Sequence, residues 1–319
     1  MKAIVQDKYG SPDVLEFKDI DRPSPGEGEV LVRVAAAGVD PGVWHLLSGL
    51  PYALRFMGFG LRAPKVRVRG RDVSGTVEAA GPAVTRFRPG DRVFGISEGS
   101  FAEYTCAPED RFVAMPSVLT FEEAAALPIS ALTALQAVRA GGVTSGQRVL
   151  VIGAAGGVGS FAVQLARSAG ARVTGVCSTG KVDLVRSLGA DEVVDYTRSG
   201  LGSGYDVILD TAGNRPLSRL RRALTSTGTL VIVGGEGGGR LLGGADRALR
   251  ASLLSLVVRQ RLVGLFVRER LVDLQWIQDA VSRGELRPVI DRTFPLSEAS
   301  AAVGYVHEGH SAGKVVVTV

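Results

Sequence analysis

This chain is poor in the residues that build metal centres and covalent frameworks. Its 319 residues include two cysteines, Cys106 and Cys177, and three histidines. Two cysteines exclude a disulfide framework and a four-cysteine zinc lobe, so both read as small core residues. No apolar run approaches the roughly eighteen residues of a membrane span. The start, Met1-Lys-Ala-Ile-Val-Gln-Asp7, lacks the apolar core of a signal peptide, and a cytoplasmic protein is expected. Lysine is also scarce. Only six of the 37 basic side chains are Lys, and the net charge of +5 is spread along the chain. The densest patch, Lys65-Val-Arg-Val-Arg69-Gly-Arg71, alternates like a strand with one solvated face, which argues against a nucleic-acid surface.

What is present is apolar residues and glycine: 45% hydrophobic residues and 42 glycines, in a chain long enough for two domains with sizeable cores. Residues 1 to about 120 read as β-rich. Gly28–Ala36 and Val73–Ala80 alternate like strands, as do the shorter Arg92–Gly95 and Phe101–Ala107. Turns at Pro23–Gly26 and Arg88–Asp91 separate them, and a small, partly closed β-barrel is expected. Thr120 followed by Glu123 is a capping box that opens a helix. Pro128 interrupts that helix, and Ser130–Arg139 reads as another. Strands and helices then alternate: 148–152, 160–168, 172–177, 181–188, 192–195, 205–210, 216–225, 228–233 and a last strand at 261–267. This order predicts an open parallel sheet with helices on both faces. Helices over 271–283 and 297–308, with β segments Pro288–Phe294 and Lys314–Val319, complete the chain and are expected to rejoin the first domain.

The clearest single stretch is Arg148–Arg167. Val149–Ile152 is a buried strand, a glycine-rich turn follows, and Phe161 and Leu165 then take helical spacing. Gly153, Gly156, Gly157 and Gly159, with Ala154 and Val158 among them, form G-x-x-G-x-x-G rather than the strict G-x-G-x-x-G. In this strand–turn–helix context the glycines let the backbone approach a pyrophosphate at a helix amino terminus, and dinucleotide binding is the reading.

Gly70-x-Asp72-x-x-Gly75-x-Val77 and Pro89-Gly-Asp-Arg-Val-Phe-Gly95 precede that turn, and Gly313-Lys-Val-Val follows it. From end to end this order resembles the medium-chain dehydrogenase/reductase superfamily, within its zinc-independent quinone oxidoreductase (ζ-crystallin-like) branch. The resemblance implies an α/β fold with a GroES-like β-barrel catalytic domain at 1–121 and 268–319. It also implies a Rossmann doubly wound parallel-sheet domain at 122–267, with an active site in the cleft between the two. A homodimer pairing the last Rossmann strands, here 261–267, edge to edge is implied as well.

The second strand of the predicted Rossmann sheet, Arg172–Cys177, ends without the carboxylate that NAD-specific folds place there. Ser178, Thr179 and Lys181 follow, two hydroxyls and an ammonium that suit a 2′-phosphate, so NADPH is expected over NADH. The alternative is a solvated helix start with Ser178 or Thr179 as N-cap. Tyr196 matches a position that flanks the adenosine phosphate in similar reductases.

Zinc-dependent members of the superfamily take ligands at stretches that here read Gly38-Val-Asp40-Pro-Gly-Val-Trp44-His45 and Arg69-Gly-Arg71-Asp72. Cysteine is missing from the first, and Arg71 stands where a ligand histidine would be. Asp40, His45 and Asp72 would have to converge to hold zinc without it, and no metal is expected. Lacking a Lewis acid, such a site favours hydride addition to an electron-poor quinone or α,β-unsaturated carbonyl over alcohol oxidation. His45 falls where some quinone reductases carry a tyrosine; it is read either as a donor to the substrate carbonyl or as a structural histidine at a helix start. Asp40, where an asparagine is common, is read as capping or orienting. Thr133 matches a threonine beside the nicotinamide, or bonds its own preceding turn. Asp210–Gly213, with Ala212, and Val233-Gly234-Gly235 end successive strands at the edge where such sheets bind ligands. Lys314 either reaches a cofactor phosphate or simply begins a strand.

Leu46–Gly60 is an unusually apolar connection, read either as a substrate mouth walled by Tyr52, Phe56, Met57 and Phe59 or as packing against the barrel. A second apolar segment, Leu249–Val258, has no place in the sheet and reads as pocket wall, dimer contact or membrane-surface helix. Two alternatives stand beside the reductase: an NADP-dependent secondary alcohol dehydrogenase or ketone reductase, and an NADPH-binding protein with little turnover.

Overall fold

Residues 1–234 and 239–319 are described in the computed structural model. By contacts the chain divides into two compact units. The first comprises Met1–Leu132, Glu269–Gly284 and Pro288–Val319; the second comprises Thr133–Arg268 and Glu285–Arg287.

In chain order the first unit contributes β1 (Lys2–Gln6), β2 (Leu15–Asp19), β3 (Glu29–Val39), α1 (Pro41–Ser48) and the single turn α2 (Tyr52–Leu54). Then come β4 (Asp72–Ala80), β5 (Arg92–Ile96), β6 (Tyr104–Pro108), β7 (Phe112–Ala114), α3 (Phe121–Ala125) and the start of α4 (Pro128–Gly141). β3 organises this unit. On one edge its first half, Glu29–Arg33, pairs with β6, and its second half, Ala36–Val39, pairs with the chain's last strand; β4 runs along the other edge. One strand serving two neighbours on the same edge bends the sheet around a core. Val30, Val32 and Val34 point inward at period two, against Val73, Val77, Val93 and Phe112.

The stretch Lys65–Arg71 does not form the expected strand. Only Val68 bridges Val5 of β1, through Gln6 N to Arg67 O and Arg69 N to Ile4 O, and the rest is irregular. Local pairing with one short strand leaves the alternating cations no ladder to extend along.

The capping box is formed as expected. Thr120 Oγ1 accepts from Glu123 N at 3.2 Å while Glu123 Oε2 accepts from Thr120 N at 2.8 Å. The helix it opens packs Ala125 and Ala126 on Ala36 of β3, and Phe121 O accepts from Ser74 Oγ of β4. α3 therefore belongs to the first unit, and the division falls later than residue 121, inside α4.

The second unit runs β8 (Arg148–Ile152), α5 (Gly157–Ser168), β9 (Arg172–Cys177), α6 (Val182–Ser187), β10 (Glu192–Asp195), β11 (Tyr205–Asp210), α7 (Leu217–Ala223), β12 (Leu224–Ile232), α8 (Ala245–Ser255) and β13 (Arg261–Gly264). All six strands are parallel, in the order β10-β9-β8-β11-β12-β13. The chain reverses direction across the sheet between β8 and β11, and ligands of such sheets bind at that switch point, beyond the carboxyl ends. The last strand stops at Gly264 instead of running to 267. Its partner β12 ends at Ile232, whose carbonyl takes the final bond from Leu265 N. Leu249–Leu254 lies on α8, outside the sheet as read.

The chain then returns to the first unit with α9 (Leu271–Ser282), β14 (Ile290–Pro295), α10 (Ala299–His307) and β15 (Lys314–Thr318). β15 runs antiparallel to β3 and parallel to β14.

Candidate active site

In the first unit, three charged residues meet where β3 ends, β4 begins and β15 begins. Lys314 is only 2% exposed, and its Nζ donates to Asp40 Oδ1 at 2.5 Å and to Asp72 Oδ2 at 2.9 Å. The amino terminus of α4 completes the group: Ser130 Oγ donates to Asp40 Oδ1 at 3.0 Å, and Ile129 N to Asp72 Oδ1 at 2.8 Å. One ammonium and two ionised carboxylates would leave a net charge of −1 out of water, a costly state. Burial, and then the charge of Asp40, push the Asp72 carboxyl well above the usual carboxylate range. Burial also opposes the charge on Asp40, but Lys314 and the hydrogen bonds from Asp72, Lys314 and Ser130 outweigh it and hold that carboxyl low. For Lys314, burial lowers and the two carboxylates raise, with the carboxylates prevailing. The opposite shifts of the two carboxyls favour Asp72 over Asp40 as the holder of a proton.

This geometry corrects two expectations. Lys314 is not placed to reach a cofactor phosphate, because its ammonium is buried and spent on two carboxyls. Asp40 stands at the N-cap position of α1, yet its side chain makes no cap bond and turns to Lys314 and Ser130 instead. It faces the Lys314 ammonium and does not cap.

His45 lies on α1, and its Nδ1 is 2.9 Å from Leu50 O. A carbonyl only accepts, so in the neutral ring the proton sits on Nδ1, and Nε2 can donate only as imidazolium. Tyr52 opens α2, and Phe56 and Phe59 lie on the π-helical turn Arg55–Phe59 that follows; Phe56 is 79% exposed.

In the second unit the glycine-rich turn is built as its sequence requires. Gly153 has φ +81°, and a Cβ there would meet Thr211 Oγ1 at 2.6 Å. Gly156 is the N-cap of α5 and offers no side chain to the helix's first amides, those of Gly157, Val158 and Gly159. A Cβ on Gly159 would lie 2.0 Å from Gly153 O, so the helix packs on the turn at a distance only glycine permits. Ala154 is buried beneath. A second row lies alongside. Thr211 Oγ1 donates to Ile152 O at 2.7 Å, Ala212 follows, and a Cβ on Gly234 would approach Thr211 O to 2.3 Å. The carboxyl ends of β8, β11 and β12 thus form a bare-backbone shelf at the switch point. Gly235 lies outside the described residues. Thr133, on α4, is buried.

At the tip of β9 the structure brings together Ser178, Thr179, Lys181 and Tyr196. The last is 53% exposed, with its N–H bonded to Cys177 O at 3.1 Å. Asp195, which ends β10 opposite Cys177, was not foreseen at this tip. It accepts from Thr179 Oγ1 at 2.5 Å and from Thr197 Oγ1 at 2.7 Å, and these bonds from Thr179 and Thr197 lower its pKa. Thr179 therefore already serves Asp195. Arg215 adds a cation 5.7 Å from the Tyr196 ring. Asp210, fully buried at the end of β11, pairs with Arg247 of α8 and accepts from Gly213 N at 3.1 Å. Arg215 and Arg247 carry no motif of their own, and only the folded sheet edge identifies them.

The sequence matches two family models: an alcohol dehydrogenase GroES-like domain over residues 26–117 and a zinc-binding dehydrogenase over 188–317. A mitochondrial NAD(P)H oxidoreductase of Mus musculus, RTN4IP1, is 34% identical over all of this chain and 89% of its own length. The quinone oxidoreductase from Coxiella burnetii superposes with a TM-score of 0.86 at 30% identity, covering 100% of this chain and 99% of that one. A mycobacterial protein solved with NADPH gives 0.85 at 28% identity over the whole of both chains. The family follows from these matches.

The chain belongs to the medium-chain dehydrogenase/reductase superfamily, in its quinone oxidoreductase branch. It is an oxidoreductase of that superfamily, with a GroES-like unit and a Rossmann unit. The uncapped glycine cradle of this oxidoreductase fits a nicotinamide dinucleotide. Its zinc-ligand positions do not fit a metal. Both carboxyls, Asp40 and Asp72, are held by an ammonium, and Arg71 is tied to Glu269 and to Glu98, the latter at 3.2 Å. Among the described residues, no three His, Cys, Asp or Glu side chains are grouped to hold an ion.

Proposed function

We propose that this chain is an NADPH-dependent reductase of apolar quinones or α,β-unsaturated carbonyls, working without a metal. One observation carries the metal-free reading: Lys314 sits between Asp40 and Asp72, which lie in the two stretches that resemble the zinc-ligand regions of zinc-dependent members. Bound NADPH supplies two electrons and a proton's nucleus as hydride, and a second proton from His45 or water completes the balance to hydroquinone or saturated carbonyl. Gly153, Gly156, Gly157 and Gly159 hold the pyrophosphate at the amino terminus of α5, with Ala154 and Val158 supplying the turn's remaining backbone. Ala212 and Gly234 offer the sheet edge to the nicotinamide, with Thr133 as a further contact. His45 would serve as the hydrogen-bond or proton donor to the acceptor oxygen. Tyr52, Phe56 and Phe59 contact the acceptor.

Lys181 and Ser178 favour the 2′-phosphate, and the absence of an acid on β9 itself supports NADPH over NADH. Titration with both cofactors tests this. Lys181→Glu is expected to weaken NADPH at least about tenfold while leaving NADH within about threefold, the loss of one charge-assisted contact. Equal affinity of the native chain for both cofactors overturns it. For the reaction, loss of NADPH absorbance is followed with quinones, enals and ketones. Turnover with quinones or enals is expected, and turnover with ketones alone, or with none, overturns the assignment. We also propose a homodimer through β13, the edge of the six-stranded sheet. Sedimentation equilibrium at twice the monomer mass is the expected result.

A further inference from the structure

Between Asp40 and Asp72 there is no acidic residue, while Arg55, Arg62, Lys65, Arg67, Arg69 and Arg71 all lie in that span. The same span carries the most exposed apolar side chains of the first unit. Phe56 and Met57 are 79% and 72% exposed, and Leu61, 60% exposed, follows directly. These side chains are not out because the backbone is loose. Tyr9 Oη donates to Phe59 O at 2.9 Å and to Gly60 O at 2.6 Å, and Lys65 N donates to Phe59 O at 2.9 Å. Arg55 Nε donates to Gly49 O at 2.9 Å, and its guanidinium lies 4.2 Å from the centre of the Tyr9 ring. The polar backbone is tied inward and the apolar side chains face outward.

The cations of the span divide by their partners. Arg67 is paired with Asp7 at 2.5 Å, and Arg71 with Glu98 and Glu269. Arg69 is buried. Arg62 and Lys65 are exposed and have no carboxylate partner among the described residues, and they flank Leu61 on its carboxyl side. An apolar apex of this kind, with unpaired cations beside it and no acid in the lobe, has the amphipathic character of an interfacial anchor. Apolar groups enter the headgroup boundary while the cations meet anionic headgroups, an attraction that weakens at higher salt.

We propose that the stretch Leu61–Lys65, with Met57 beside it, docks the enzyme peripherally on an anionic lipid surface. The occupant is a bilayer carrying anionic headgroups, chosen by charge complementarity at Arg62 and Lys65 together with the outward Met57 and Leu61. These side chains are not among those proposed to contact the acceptor, so the docking stands or falls separately from the reductase assignment.

The test is sedimentation of the full chain with vesicles of phosphatidylcholine alone or of phosphatidylcholine with phosphatidylglycerol. Binding is expected only with the anionic vesicles at low salt, falling as salt shortens the screening length from about 10 Å at 0.1 M to about 3 Å at 1 M. Arg62→Glu with Lys65→Glu is expected to weaken that binding at least tenfold while the melting temperature, and turnover of a water-soluble quinone with NADPH, stay unchanged. Leu61→Ser is expected to weaken binding without changing its salt dependence. No binding to anionic vesicles, or binding that the double charge reversal leaves intact, overturns the proposal. It is equally overturned if Leu61→Ser instead splits a dimer, which would make a second copy the occupant.

Discussion

At the scale of single residues, the buried group Asp40–Lys314–Asp72 makes the sharpest demands. Both Asp72 oxygens accept, one from Ile129 N and one from Lys314 Nζ, so Asp72→Asn turns an NH2 group onto one of those donors; unfolding in urea should show a cost of about 1–3 kcal/mol. Lys314→Met strands two buried carboxyls and should cost about 3–5 kcal/mol in the same measurement. The pH dependence follows from the sign of each shift. The raised Asp72 pKa contributes stability that is complete below the ordinary carboxylate value and is lost as pH rises through its folded value. Asp40, held low, contributes stability that is lost only as pH falls below the ordinary range. As pH rises above the ordinary carboxylate range the native chain should therefore lose stability that Asp72→Asn retains. Equal slopes for both would show that Asp72 is ionised throughout. Gly159→Ala tests the cradle in the same way. Its new methyl would meet Gly153 O at 2.0 Å, and cofactor affinity should fall at least about tenfold, with stability lowered by about 1–3 kcal/mol.

At the scale of elements, local sequence was legible wherever its chemistry closes within a few residues. The capping box of Thr120 and Glu123 is an example, and Thr120→Ala should lower thermal stability by about 1 kcal/mol. β8, β9, β10 and β11 have the bounds read from their apolar runs, because a parallel strand covered on both faces is continuous in apolar residues. Element ends that depend on a neighbour were not legible. β13 stops where β12 stops, and Lys65–Arg71 fails as a strand because β1 offers it a single bridge. The site divides along the same line. The glycine turn was readable because φ and close approach are local requirements. Asp195 was missed because it reaches the β9 tip by strand pairing, eighteen residues along the chain from the Cys177 it faces.

At the scale of the whole molecule, the chain leaves the GroES-like unit inside α4 and returns to it to add β14 and β15. That return sets Lys314 beside Asp40 and Asp72, so the charge balance of the first unit depends on the last residues of the chain. Removing residues 310–319 should therefore unfold the first unit, read as loss of its cooperative transition in calorimetry, and not merely trim an end.

Composition and spacing by themselves determined the alternation of strands and helices, the parallel sheet it implies and the glycine-rich turn; the superfamily came from the resemblance of the spaced motifs. The first three rest on periodicity, turn glycines and helix starts, whose physics is local. Tertiary structure alone decided what Lys314 does. A lone lysine at a strand start is compatible with a phosphate contact or with nothing, and only the approach of β15 to β3, with the first turn of α4 above it, buries that ammonium between two carboxyls. The energy of a charge depends on what surrounds it, and the chain's order does not state that.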